Sequence, residues 1–173
     1  MILYHGTSAE RAKVIFKEGQ LKAKGVNVTH QGKDPLPPTE PGFLYLTNRL
    51  YLALYFATEH DENDTIKSCY IFKVNVSESI LQPDPTEISM VLGKKIDGND
   101  YRFQDSLNIC CAVRTNKDLV IGEEVIEVSS FTYSIKEASP LLDLVEEATE
   151  KATSKKQPQP DVKGGALNWK LLS

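Results

Sequence analysis

Apolar and polar positions fall in blocks whose period changes along the chain. Ile2, Leu3 and Tyr4 form a short β-prone run that ends at His5-Gly6-Thr7-Ser8, where glycine permits a turn and Thr or Ser can cap the next element. Ala12, Ile15 and Phe16 then recur at helical spacing as far as Gly19, a natural helix stop. The chain therefore opens strand, turn, helix. A second unit of the same kind comes later: Phe43-Leu44-Tyr45-Leu46-Thr47 reads as a buried strand, and Thr47 or Asn48 caps a helix from about Arg49 to Thr58. Lys22 to Gly42, with Pro35, Pro37, Pro38 and Pro41, lacks periodicity and reads as a loop of about 20 residues, a length typical of functional loops or disorder.

Further on, Tyr70, Phe72, Val74 and Val76 alternate on one face of a strand from Cys69 to Val76, and Leu119–Val128 and Phe131–Ile135 are two more β-prone segments. Ile88 to Asp105 is mixed and predicts no single element. Leu141, Leu142, Leu144, Val145 and Ala148 share one helical face, with Glu146, Glu147 and Glu150 on the other. Gln157-Pro158-Gln159-Pro160 and Gly164-Gly165 then predict a flexible tail with an apolar end around Trp169. This divides the chain into a principal domain over 1–139 and a C-terminal helix and tail over 140–173.

Composition narrows the function classes. The 173 residues fit one principal domain, and 40% apolar with 25% charged residues is the mixture of a folded chain in water. Twenty Lys and Arg against 24 Asp and Glu leave a formal charge of −4, which argues against a chain-wide basic surface for nucleic acid. Cys69, Cys110 and Cys111 make neither a disulfide framework nor a zinc clip, and read as buried thiols of a reducing compartment. No apolar run approaches the roughly 20 residues of a membrane span, and the first residues lack the pattern of a secretion signal. The expected location is the cytoplasm, away from membranes. His30 and His60 lack metal-ligand spacing and read as surface residues, so no metal is expected. Gly6, Gly25 and Gly32 make no GxGxxG fingerprint.

The candidate chemistry sits at the two strand-to-helix junctions. Tyr4-His5-Gly6-Thr7, the helix and glycine after it, and Phe43-Leu44-Tyr45-Leu46-Thr47 followed by Ala53 and Tyr55 eight and ten residues beyond Tyr45 resemble the motifs of the ADP-ribosyltransferase superfamily. The likeness is to its His-Tyr-Glu, diphtheria toxin-like group, and is nearest to the rifampin-modifying branch and DarT-like toxins. It covers residues 1 to about 137 and implies an α+β fold with a split β-sheet core and flanking helices. It further implies NAD as the consumed donor, with His5, Tyr45 and a late acid in Ile121-Gly122-Glu123-Glu124-Val125 as the catalytic set. His5 is expected on the adenosine ribose, the Gly6 backbone on the nicotinamide amide, Tyr45 and Tyr55 around the nicotinamide ring, and Thr7, Thr47 and Ala53 shaping the pocket. Of two strand neighbours only one turns into the site, and the resemblance prefers Glu124, since Val125, Ile126, Glu127 and Val128 follow it as the family's acid-then-apolar strand would. Glu123 is its neighbour, and Asp84 or Glu87 fills the role if the acid comes from a mid-chain loop, as in the rifampin-modifying branch. Glu123, Glu124 and Glu127 read equally as a charged, solvated strand edge.

The resemblance implies transfer of ADP-ribose to a macromolecular acceptor (RNA, DNA or protein) by a glycosyltransferase of the toxin or phage-conflict kind. Two alternatives stand beside it, a catalytically inactive binding protein and an NAD-dependent RNA 2′-phosphotransferase, which shares the His-Gly-Thr motif. The C-terminal segment, with an apolar end around Trp169, is expected either to engage an antitoxin, a chaperone or a second copy of the chain, or to pack on its own domain.

Overall fold

Two apolar surfaces have to be covered, one on each face of a sheet, and this decides the layering. The computed structural model describes residues 1–23, 40–58, 65–154 and 158–173. In chain order its elements are β1 (Ile2–Ser8), α1 (Ala9–Glu18), β2 (Gln20–Leu21), β3 (Leu44–Thr47), α2 (Leu50–Thr58), β4 (Ile66–Asn75), β5 (Gln82–Pro83), α3 (Pro85–Leu92), α4 (Phe103–Cys110), β6 (Ala112–Thr115), β7 (Leu119–Val120), β8 (Val125–Ser134), α5 (Pro140–Ala152) and β9 (Trp169–Leu171). The fold is mixed α+β. Seven strands pair antiparallel in the order β5-β6-β3-β1-β4-β8-β9, while β2 and β7 form a separate ribbon.

Alternation along the strands divides the core in two. Phe72 and Val74 of β4 pack with Leu3, Leu46 and Val113 beneath Ala12 of α1, Leu107 of α4 and the Leu21–Leu119 ribbon. Cys69 and Ile71 turn to the other face, under α2 and the buried stripe Leu144, Val145 and Ala148 of α5. The expected alternation of β4 and the expected inner face of α5 are both present. All three cysteines are buried free thiols.

Several boundaries differ from the sequence reading. β1 does not stop at Tyr4: His5 to Ser8 stay in the ladder, with His5 opposite Phe72 and Ser8 opposite Cys69. Its partner strand supplies the hydrogen bonds that a turn would otherwise provide, so tertiary pairing overrides the local turn signal. Leu119–Val128 is not one strand, because Gly122 takes a left-handed backbone (φ +86°) that separates β7 from β8. β8 instead runs unbroken through to Ser134. The mixed segment from Ile88 to Asp105 holds most of α3 and the start of α4. Asp84 caps α3 by accepting the N–H groups of Thr86 and Glu87, with Pro85 in the first turn, so Asp84-Pro85-Thr86-Glu87 is a helix-start signal that the sequence reading misses. His30, His60 and most of the Lys22–Gly42 loop lie outside the described residues.

The C-terminal segment packs on the domain. Val162 and Leu167 are buried in the α2–α5 core, and β9 pairs with β8, Trp169 opposite Ser129. The Trp169 ring lies 6.1 Å from Tyr4 and beneath Lys73 Nζ at 4.5 Å. Asp161 reaches furthest, accepting the Leu50 N–H at 2.9 Å and the Tyr51 N–H at 3.1 Å. These are orphan donors at the start of α2, so the cap expected from Thr47 or Asn48 is shared. Thr47 Oγ1 accepts only the Arg49 N–H, and a carboxylate from far along the chain takes the next two. A Pro- and Gly-rich composition hides the few residues that anchor the segment. Among the described residues no helix is long and apolar enough to cross a membrane.

Replacing Asp161 with Ala is expected to cost about 1–2 kcal/mol through loss of this cap, read as a lower midpoint of thermal denaturation, with Asp161→Asn recovering part of the loss. An unchanged midpoint in Asp161→Ala would show that the cap does not hold the segment.

Candidate functional site

Adjacent in the sheet, β1 and β3 scarcely pair. Their ladder contains one residue pair, Tyr4 opposite Thr47. The Asn48 N–H turns away to the Cys111 carbonyl, so the alternate residues Thr47 and Tyr45 present their backbone groups to β1, and on β1 Tyr4 and Gly6 face back. Tyr4 finds Thr47, but Gly6 falls outside the ladder. In its place the ring of His5 crosses the seam, with Nδ1 at 3.0 Å from the Tyr45 carbonyl oxygen. A carbonyl only accepts, so Nδ1 carries the proton and Nε2 is left as an acceptor. Burial pushes the His5 pKa down, the Tyr45 bond partly opposes this, and Arg11 of α1 lowers it further. The ring is therefore neutral at pH 7.

Gly6 also fixes how close α2 approaches. A Cβ at this position would overlap the carbonyl oxygen of Ala53 and lie 3.1 Å from the Ala57 nitrogen. Ala53, fully buried, is thus the small residue where helix and strand touch. Thr7 and Thr47 are buried, and Thr47 Oγ1 donates to the Cys111 carbonyl at 2.7 Å. Tyr55 is half-buried, its ring 5.5 Å from that of Phe56. By strand alternation Tyr45 shares a face with Gly6, and His5 lies on the other.

A charged cluster surrounds Tyr45. In register, Tyr45 is opposite Arg114 of β6, and Arg114 is opposite Gln82 of β5, so the three side chains stand in one row. Asp84 comes two residues after Gln82 and is 1% exposed. The Arg114 guanidinium lies 3.9 Å from the centre of the Phe43 ring and pairs with the Glu40 carboxylate. Glu40 in turn donates its N–H to the Tyr45 hydroxyl at 2.9 Å. Burial raises the Tyr45 pKa, and the nearby Asp84 carboxylate raises it further. Burial also raises Asp84, opposed by the N–H groups of Glu87 and Thr86 and by Arg114. Glu87 is pushed up to about 7 by burial and by Asp84. Burial and the closeness of two like charges thus both favour the protonated form of Glu87.

Compared with protein-family models, curated proteins and solved structures, the chain matches none.

Glu124 stands elsewhere. It lies in the turn between β7 and β8, so neither it nor Glu123 is a strand residue and the alternation expected of the pair does not apply there. Its Oε2 accepts the Val120 N–H at 2.9 Å, and its carbonyl takes the Asn75 N–H. Asn75 is opposite Ile2, three strand residues or roughly 10 Å from His5. Glu127 is on β8 and pairs with Lys73. The structure brings His5, Gly6, Thr47, Ala53 and Tyr45 together, and adds Asp84, Glu87, Glu40 and Arg114 to Tyr45. Arg114 escapes the sequence reading because nothing local distinguishes an arginine in Ala112-Val113-Arg114-Thr115; its strand pairing does. Among the described residues no group of three or more His, Cys, Asp or Glu is placed to hold a metal.

Gly6→Ala is expected to cost at least about 3 kcal/mol or to prevent folding, because the clash is with backbone. Gly165→Ala, with open space around it, is expected to stay within about 0.5 kcal/mol of wild type; equal midpoints for the two variants would refute the close approach. Glu87 gives a pH signature. Its folded pKa is raised, so its contribution is fully present below the ordinary value of 4.5 and is lost as pH rises through about 7. Glu87→Gln should therefore match wild type near pH 4 and exceed it by about 3 kcal/mol at pH 8, measured by urea unfolding at both pH values.

Proposed function

We propose that this chain is a mono-ADP-ribosyltransferase of the His-Tyr-Glu group, using NAD as donor and a macromolecule as acceptor. The observation that carries the reading is the open seam between β1 and β3. Among the described residues Gly6 has no ladder partner on β3, the neutral His5 ring bonds the Tyr45 carbonyl across that seam, and Tyr45 stands on its far side. An unladdered N–H and C=O side by side suit the primary amide of nicotinamide, which needs one acceptor and one donor. Nε2 of His5 can accept a hydrogen bond from a ribose hydroxyl, and the Tyr45 ring offers an aromatic face to the pyridine ring. The resemblance of Tyr4-His5-Gly6-Thr7 and of Phe43 to Thr47 to the family motifs supports the same assignment.

The chemistry asks for negative charge close to the sugar. The bond between ribose C1 and the nicotinamide nitrogen breaks with its electron pair staying on nicotinamide, which leaves neutral, and positive charge builds on the ribose. An acceptor nucleophile then bonds C1 and gives up its proton. We assign the stabilising carboxylate to Asp84 in preference to Glu124, because Asp84 is buried beside Tyr45 and Glu124 is held in a turn by Val120. Glu87, with a pKa of about 7, is suited to accept the acceptor's proton.

Labelled NAD incubated with the purified protein and, separately, with protein, RNA and DNA pools tests the reading. Wild type is expected to release nicotinamide and label one pool. Asp84→Asn, which keeps an N-cap residue on α3, and His5→Ala should lose on the order of 100-fold or more, while Glu124→Gln stays within a few-fold of wild type. A silent Glu124→Gln beside an active Asp84→Asn would return the acid to Glu124. Neither release nor transfer by wild type would overturn the enzyme reading and favour an inactive binding protein.

A further inference from the structure

We propose that Arg114 is a positioning residue of this site: its guanidinium, fixed between the Phe43 ring and the Glu40 carboxylate, seats Tyr45 and supplies the positive charge that faces Asp84. The role rests on the site reading above and goes beyond the His-Tyr-acid set. Two contacts and two register neighbours converge on this side chain. Arg114 is opposite both Tyr45 and Gln82 in register, lies over Phe43 at 3.9 Å and pairs with Glu40. It is 12% exposed, and its Nε is buried with no hydrogen-bond partner among the described residues. An unpaired buried donor costs stability, so its place here calls for a compensating use. A planar guanidinium both stacks on a ring and forks toward carboxylates, which an ammonium does not.

The groups around Asp84 come from every packed element. Glu87 belongs to α3, Cys110 to α4, Arg114 to β6, Tyr45 to β3, and Glu40 precedes β3. Arg114 is the one cation among these five, and Glu40 opposes its effect on Asp84. Arg114 therefore decides how readily Asp84 stays charged next to a second buried carboxyl, while Glu40 tunes it from the exposed side.

A carboxyl-carbon NMR titration of Asp84 in the full chain tests this without any turnover. Arg114→Gln is expected to raise the Asp84 midpoint by about one pH unit, Arg114→Lys to restore most of the shift, and Glu40→Gln to lower the midpoint below wild type. Steady-state NAD consumption should show kcat falling at least about tenfold in Arg114→Gln, with Arg114→Lys recovering only part because it keeps the charge and loses the stacked fork. An Asp84 midpoint unmoved by both Arg114→Gln and Glu40→Gln overturns the proposal. If Arg114→Gln fails to fold, Glu40→Gln, which alters a half-exposed side chain, decides alone. If wild type consumes no NAD, the transferase reading fails while the titration still judges Arg114.

Discussion

With only a hydrogen for a side chain, Gly6 allows the backbone of α2 to rest directly on the central strand. The rest of the site depends on this contact. Helix and strand meet at Ala53 and Ala57, which fixes the height of α2 above the sheet and its start at Leu50. Asp161 holds that start from the C-terminal segment, and Thr47 joins it to β3. A larger residue at position 6 would lift the helix and move the end of β3 with it. The close approach also explains why a chain that packs an apolar helix here needs a small residue at 53.

The seam between β1 and β3 is the second consequence. Two neighbouring strands in one sheet ordinarily satisfy each other, and an unpaired backbone edge inside a sheet is costly unless something replaces the partner. Here His5 replaces part of it through Nδ1, and among the described residues Gly6 has no ladder partner on the β3 side. The acids are arranged on a related principle. Asp84 and Glu87 are held close in a buried setting, two backbone N–H groups and Arg114 favour charge on Asp84, and the second carboxyl responds by keeping its proton to a pKa of about 7. Glu87 therefore exchanges its proton close to neutral pH beside Asp84.

Much of this is legible in the residue pattern. The two strand–helix units, the alternation of β4, the inner face of α5, and Tyr45 and His5 as neighbours all come from periodicity and from the order of the motifs. The hidden parts have physical reasons. His5-Gly6-Thr7 carries turn chemistry yet remains strand because β4 pairs with each residue. Glu124 looks like a strand acid until the left-handed Gly122 breaks the run. Asp84 enters only as the alternative acid that the resemblance implies, although Asp-Pro-Thr-Glu is a helix cap that also buries a carboxylate. Arg114 and Asp161 act through contacts distant in sequence, which no local pattern carries.

Hydrogen–deuterium exchange of the full chain with and without NAD tests the central claim, that the open seam is the ligand site. Slowed exchange is expected at His5–Thr7, at Tyr45–Thr47 and in the first turn of α3, with the β7–β8 turn around Glu124 unchanged. Protection at that turn with none at the seam, or no protection anywhere at saturating NAD, would contradict it.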